Sequence, residues 1–224
     1  MQLINGVSSM FFTVSALNSI KTKNFLWIFA NFFIIYTSFM YNIHKFDLYE
    51  KFPDKIILLT DLSDKYDVYL FNDYIAISLL AFIRIDNLII KNAIFPLFFI
   101  EYYYYQSILN SKNIVFIVGI ANTLNKINEN YKIGLINYRT YFSIIFNMII
   151  AIITLLIRLK YCYVVEKQFE NVFLTTLWHY YMTNVLYNVS YNMAIEVKEE
   201  EKRLSEEVIT SQKMCLNPTL SQNK

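Results

Sequence analysis

Few side chains in this sequence could do chemistry. His179 is one of two histidines and lies in an otherwise uncharged stretch, Asn171 to Ile195. A lone histidine on an apolar helix is usually a satisfied packing group, since a metal site needs further ligands at close spacing. Arg84 and Asp86 interrupt another apolar region; two residues apart on a helix, they point to different faces and neutralise each other poorly. Cys162 and Cys215 flank opposite ends of the last apolar stretch, so they cannot pair if that stretch crosses a bilayer. Three glycines, Gly6, Gly119 and Gly134, are too few and too scattered for a nucleotide-binding loop. No paired carboxylates and no nucleophile beside a base are legible. The expectation is a chain that is not an enzyme and holds no cofactor and no metal.

These residues are positioned by apolar segments. The cleanest is Thr140 to Ile157, TYFSIIFNMIIAIITLLI, which holds no ionisable group between Arg139 and Arg158. As a helix it would be about 27 Å long, close to the roughly 30 Å hydrocarbon thickness of a bilayer. Asn24 to Tyr41 is a second uncharged stretch, with Trp27 near one end and Tyr36 and Tyr41 toward the other, where amphipathic rings prefer the headgroup level. Tyr74 to Tyr105 is apolar but broken by Arg84, Asp86, Lys91 and Glu101, with Pro96 as a kink or boundary and Tyr102 to Tyr105 as an interfacial belt. Asn171 to Ile195 is the fourth.

The fold class expected is therefore all-α: an integral membrane bundle of about four transmembrane helices, at 24–41, 74–105, 140–157 and 171–195, with long helices extending into the cytoplasm. Residues 1–210 would form a single domain and 211–224 a disordered tail. Met1 to Ile20, uncharged but studded with Ser, Thr and Asn, reads as an interfacial or re-entrant approach. His44 to Asp73 reads as a solvated acidic loop, and Ser107 to Arg139 as a basic amphipathic connector with a turn at Gly134. In the tail, Glu199 is spaced to pair with Arg203. Grouping the N-terminus, connector and tail gives eleven Lys and Arg, against seven in the intervening loops, which places both termini in the cytoplasm. A net charge of +2 with no basic run argues against nucleic acid.

The opening INGVSSMFF, the connector GIANTLNKINENYKIGLINYRTYF and TLWHYYMTNVLYNVSYNM with its charged helical extension resemble the N-terminal half of insect gustatory receptors. These are seven-helix chemosensory proteins. The resemblance implies a multi-pass plasma-membrane protein that detects a small-molecule tastant and assembles with itself or related receptor subunits as a ligand-gated cation channel. That family's Thr-Tyr and Gln-Phe signature sits in its seventh, pore-lining helix. Here Thr140-Tyr141 precedes Phe-Ser-Ile-Ile and is not that motif. A stand-alone four-helix accessory or structural membrane protein is the alternative.

Ligand contacts would come from the outer halves of the spans, with Arg84, Trp178, His179 and Met182 as candidates. Thr175, His179 and Met182 share one helical face, and Tyr180, Asn184, Tyr187 and Tyr191 another. Arg84 would need compensation by Asp86, another carboxylate, water or a ligand.

Overall fold

The computed structural model describes residues 6–51, 66–85, 88–93, 96, 108–161 and 168–216. Among these every regular element is helical and no strand occurs. The helices are α1 (Phe12–Ser19, flanked by 3-10 turns at Ser9–Phe11 and Ile20–Thr22), α2 (Phe25–Lys51), α3 (Tyr66–Ile83), α4 (Ile108–Lys132), α5 (Tyr138–Tyr161) and α6 (Gln168–Leu216). The shared core is built from Phe12, Trp27, Ile34, Leu80, Ile127, Ile144, Trp178 and Val189, with α6 packed against α1 and α5.

Local chemistry accounts for the element ends. Asn24 caps α2: its Oδ1 accepts the Trp27 amide at 3.0 Å, satisfying a donor that the helix leaves orphaned. Asn137 does the same for α5 through the Thr140 amide at 2.9 Å. Lys23, immediately before the first of these caps, turns the chain with φ of 54°. Helix α4 ends in a Schellman motif, with the Leu135 amide bonded to the Asn130 carbonyl at 2.9 Å and the Gly134 amide to Tyr131 at 3.1 Å. Gly134 takes φ of 76°, which only glycine adopts without strain.

Several boundaries differ from the sequence reading. The residues after Gly6 do not merely approach a bundle; they form part of one. Ser8, Ser9, Phe12, Ser15, Ser19 and Thr22 are buried, while Val7, Met10, Phe11, Val14, Leu17 and Ile20 are exposed. Most of the described polar residues that broke up the apolar run fall on the inward face, with Thr13 half-buried. The third apolar region is not one long helix: α3 starts at Tyr66 and stops at Ile83, Arg84 sits in a turn, and helical backbone resumes at 88–93. The α2 helix continues to Lys51, into the region read as a loop, and α6 runs on through Leu216 rather than losing order after Thr210. Arg203 pairs with Glu207 at 3.8 Å, one turn beyond Glu199; all three side chains are exposed, so little energy separates the choices. Asp86, Glu101, Tyr102 to Tyr105, Cys162, the middle of the acidic loop (52–65) and the tail beyond Leu216 lie outside the described residues.

The outward faces of two helices are largely apolar, while small polar side chains share the interior with the apolar core. Inward, α2 presents Trp27, Asn31, Ile34, Thr37, Ser38 and Asn42; outward it presents Phe25, Leu26, Phe29, Phe32 and Tyr36. On α5, Ile144, Met148, Ala151 and Thr154 are buried, whereas Phe142, Phe146, Ile149, Ile152, Ile153, Leu156 and Ile157 are exposed. Two helical stretches, Phe25–Ile43 and Tyr138–Ile157, are long and apolar enough to cross a membrane.

Candidate functional site

The four residues singled out from the sequence fall in two places. Along α6, His179 and Glu196 are separated by about 25 Å of helix, and Arg84 lies with Glu196, not with His179. The structure therefore does not bring Arg84 together with Trp178, His179 and Met182. Arg84 ends α3 at the same end of the bundle as the exposed extension of α6, to which Lys23 is tied through Glu201 at 2.6 Å.

The first place is a buried polar cluster. His179 is 1% exposed. Its Nδ1 meets Ser8 Oγ at 2.7 Å and its Nε2 meets Ser38 Oγ at 3.1 Å, so one ring joins the segment before α1, the helix α2 and the helix α6. Ser38 Oγ also accepts from Ser9 Oγ at 3.2 Å and from Asn42 Nδ2 at 3.2 Å. Each serine hydroxyl can donate to or accept from the ring nitrogen it meets, so the ring is held in either tautomer. The Thr183 hydroxyl bonds the His179 carbonyl one turn on at 2.7 Å. Phe12 closes the cluster edge-on, 5.3 Å from the imidazole and 6.3 Å from the Trp178 ring. Met182 is half-buried against the core.

Chemically this is a hydroxyl beside a base, which the sequence did not reveal because Ser8 and His179 are 171 positions apart. The arrangement departs from a nucleophile relay: the second ring nitrogen meets a hydroxyl instead of a carboxylate, and Ser8 is itself buried. Its evident work is to hold three segments in register, each bond contributing about 0.6 kcal/mol on the scale measured for membrane helices.

A second polar seam lies further along α6. Trp27 Nε1 donates to Ser190 Oγ at 2.9 Å, Ser15 Oγ donates to Asn31 Oδ1 at 2.7 Å, and Asn18 Nδ2 donates to the Tyr187 carbonyl at 3.0 Å. The alternate stripe behaves differently: Tyr180, Tyr187 and Tyr191 are exposed and Asn184 half-buried, so that face of α6 points out of the bundle. Thr175, by contrast, is fully buried with His179.

The last place is the Arg84 clasp. Glu196 Oε1 accepts from Asn130 Nδ2 at 2.6 Å and from Asn192 Nδ2 at 3.0 Å, and Glu196 Oε2 lies 3.7 Å from Arg84 Nη1. The clasp joins the end of α3 to α4 and α6. Arg84 is only 6% exposed in its side chain, yet its Nε and Nη2 have no hydrogen-bond partner among the described residues. Leaving one buried donor unmade costs about 1–3 kcal/mol, and more where the group is charged. The i,i+4 spacing of Asn192 and Glu196 was a legible signal of a polar pair; Asn130, from another helix, was not. Among the described residues no group of His, Cys, Asp and Glu could hold a metal ion.

Comparison with known proteins adds nothing to this geometry: no family, no curated protein and no solved structure matches the chain.

Proposed function

We propose that the chain is a multi-pass integral protein of the plasma membrane, and that it serves as part of a chemosensory receptor of the gustatory type, responding to a small-molecule tastant together with like or related subunits. One observation carries the membrane part: large apolar side chains face outward along residues 7–20, α2 and α5, while Ser, Thr, Asn and His face inward. In water such a surface would be an aggregation hazard; in hydrocarbon it costs nothing, and the inward polar groups bond helix to helix. In this reading α2, α3, α5 and the first half of α6 cross the bilayer. The end carrying Lys21, Lys23, Lys132, Arg139 and the α6 extension faces the cytoplasm.

The receptor part is supported by the residue resemblance in the opening, the connector and the start of α6. The cluster at Trp178, His179 and Met182 then lies in the outer half of the bundle, the place where such a pocket would be mostly apolar with a few polar groups. No enzymatic role is proposed.

Tags at Met1 and Lys224 test the topology. Both should be protected from external protease in intact cells, and digestion of either refutes it. For the receptor role, His179→Gln in a responding receptor complex should abolish the agonist response at unchanged surface level. A lost surface level alone would assign His179 to folding and withdraw the pocket.

A further inference from the structure

On the membrane reading above, we propose that the outward face of α6 is where two copies of this chain pair in the bilayer, their α6 helices parallel and each Asn184 facing its counterpart.

Phe173, Leu177, Tyr180, Asn184, Tyr187 and Tyr191 follow one another at steps of 4, 3, 4, 3 and 4 residues. That is the 3.5-residue repeat of a left-handed helix pair, in which seam side chains seat between those of a facing helix. The chain's own helices do not cover this seam: Phe173, Tyr180, Tyr187 and Tyr191 are between 39% and 55% exposed, and Leu177 and Asn184 are half-buried. From Phe173 to Tyr191 it runs about 27 Å, close to the roughly 30 Å depth of the hydrocarbon.

Lipid is a poor cover for it. On α5 every exposed side chain from Phe142 to Ile157 is Phe, Ile or Leu. On α6, three of the four exposed seam residues carry a hydroxyl and Asn184 adds an amide. None of these four side-chain polar groups has a hydrogen-bond partner among the described residues. Tyr180, Asn184 and Tyr187 lie at least about 12 Å of helix from either end of the 171–195 stretch, so the headgroup level does not account for them. Hydrocarbon offers such groups nothing to bond, whereas a facing helix can.

The covering helix must present polar groups at the same depths. A second copy inserted in the same orientation does so by symmetry, because a twofold axis along the membrane normal sets each seam residue opposite itself. Tyrosine hydroxyls and asparagine amides both donate and accept, so like bonds like. No charged residue falls in the seam, so two copies meet without repulsion. Asn184 also fixes the register, since a slip along the helix leaves both amides unpaired. Phe11 braces the seam from the side, edge-on to Tyr180 with ring centroids 6.2 Å apart.

The test uses the full chain in phosphatidylcholine vesicles, labelled with donor or acceptor at a C-terminal tag, with energy transfer followed as lipid is added. Wild type should behave as a dimer that dissociates on dilution. Asn184→Val should weaken association about tenfold and Tyr187→Phe, which loses one hydroxyl, about threefold. Phe146→Ala, on the outward face of α5, should leave it unchanged. With Cys162 and Cys215 replaced by serine, Tyr187→Cys should cross-link two chains under mild oxidation and Phe146→Cys should not. A monomer at every dilution overturns the proposal. So does a dimer that neither seam variant weakens, or one that cross-links equally through Phe146→Cys. Because Asn184→Val could fail to fold, Tyr187→Phe decides alone in that case, and unchanged association sinks the seam. Release of the wild-type chain by alkaline carbonate refutes the membrane reading and this one together; a chain that stays in the membrane as a monomer refutes this one only.

Discussion

Replacing Gly119 with alanine tests how closely α3 and α4 approach. A Cβ added at Gly119 would stand 2.5 Å from the Ala81 Cβ, 2.6 Å from its carbonyl oxygen and 2.7 Å from its carbonyl carbon. Ordinary contact needs roughly 1 Å more, and two of these three atoms are backbone, which cannot rotate aside. The helices must part, and overpacking of this kind costs about 1–3 kcal/mol. At about 2–4 °C per kcal/mol for a chain of this size, the melting temperature should fall by about 2–12 °C. The assay is retention of the monodisperse gel-filtration peak after heating the purified full chain in detergent. A second substitution sharpens it: Ala81→Gly on top of Gly119→Ala removes the contact at 2.5 Å but leaves the carbonyl at 2.6 Å, so it should restore less than half of the loss. A single variant melting within 1 °C of wild type would show that no such approach exists. Complete rescue would show that the side chain, not the backbone, makes it.

Two further outcomes are expected. Trp27→Phe and Ser190→Ala each remove one hydrogen bond between α2 and α6 and should each cost about 1 kcal/mol, while the double variant costs little more than either, a non-additivity that thermal melts of all three would reveal. Gly134→Ala has open space around it, with no atom within 4 Å of the new Cβ, and should still destabilise by about 1 kcal/mol because φ of 76° strains any L side chain; Gly134→Asn should cost less in the same melt.

The helical class and the rough positions of α2, α5 and α6 were legible because length without charge is a property of neighbouring residues. The glycine turn was likewise local; the caps at Asn24 and Asn137 also rest on local signals, but the sequence reading did not include them. The inward polar face of residues 8–22 was legible in principle, since Ser8, Ser15, Ser19 and Thr22 recur at helical spacing, but counting the polar residues rather than placing them on a wheel made the segment look merely interrupted. The break after α3 was hidden: Arg84 and Asp86 signalled trouble in that stretch without saying that the helix stops. Least legible was everything that depends on pairing distant segments. Nothing near His179 names Ser8 or Ser38, and nothing near Arg84 names Glu196, so these pairings became visible only when the helices were set side by side.

The unbroken run of α6 has a mechanical consequence. Its 49 residues make a rod about 73 Å long, and residues 199–211 are exposed along it. From His179 to Leu216 is about 55 Å, so a 5° tilt about the histidine would sweep the far end through roughly 5 Å, with no hinge between to absorb it. The clasp of Arg84 and Asn130 on Glu196 grips the rod a little under halfway along that arm. A change there of a few tenths of an ångström in side-chain distance is enlarged about twofold at the tip, so the small contacts at Ser190 and Glu196 set where the whole extension points.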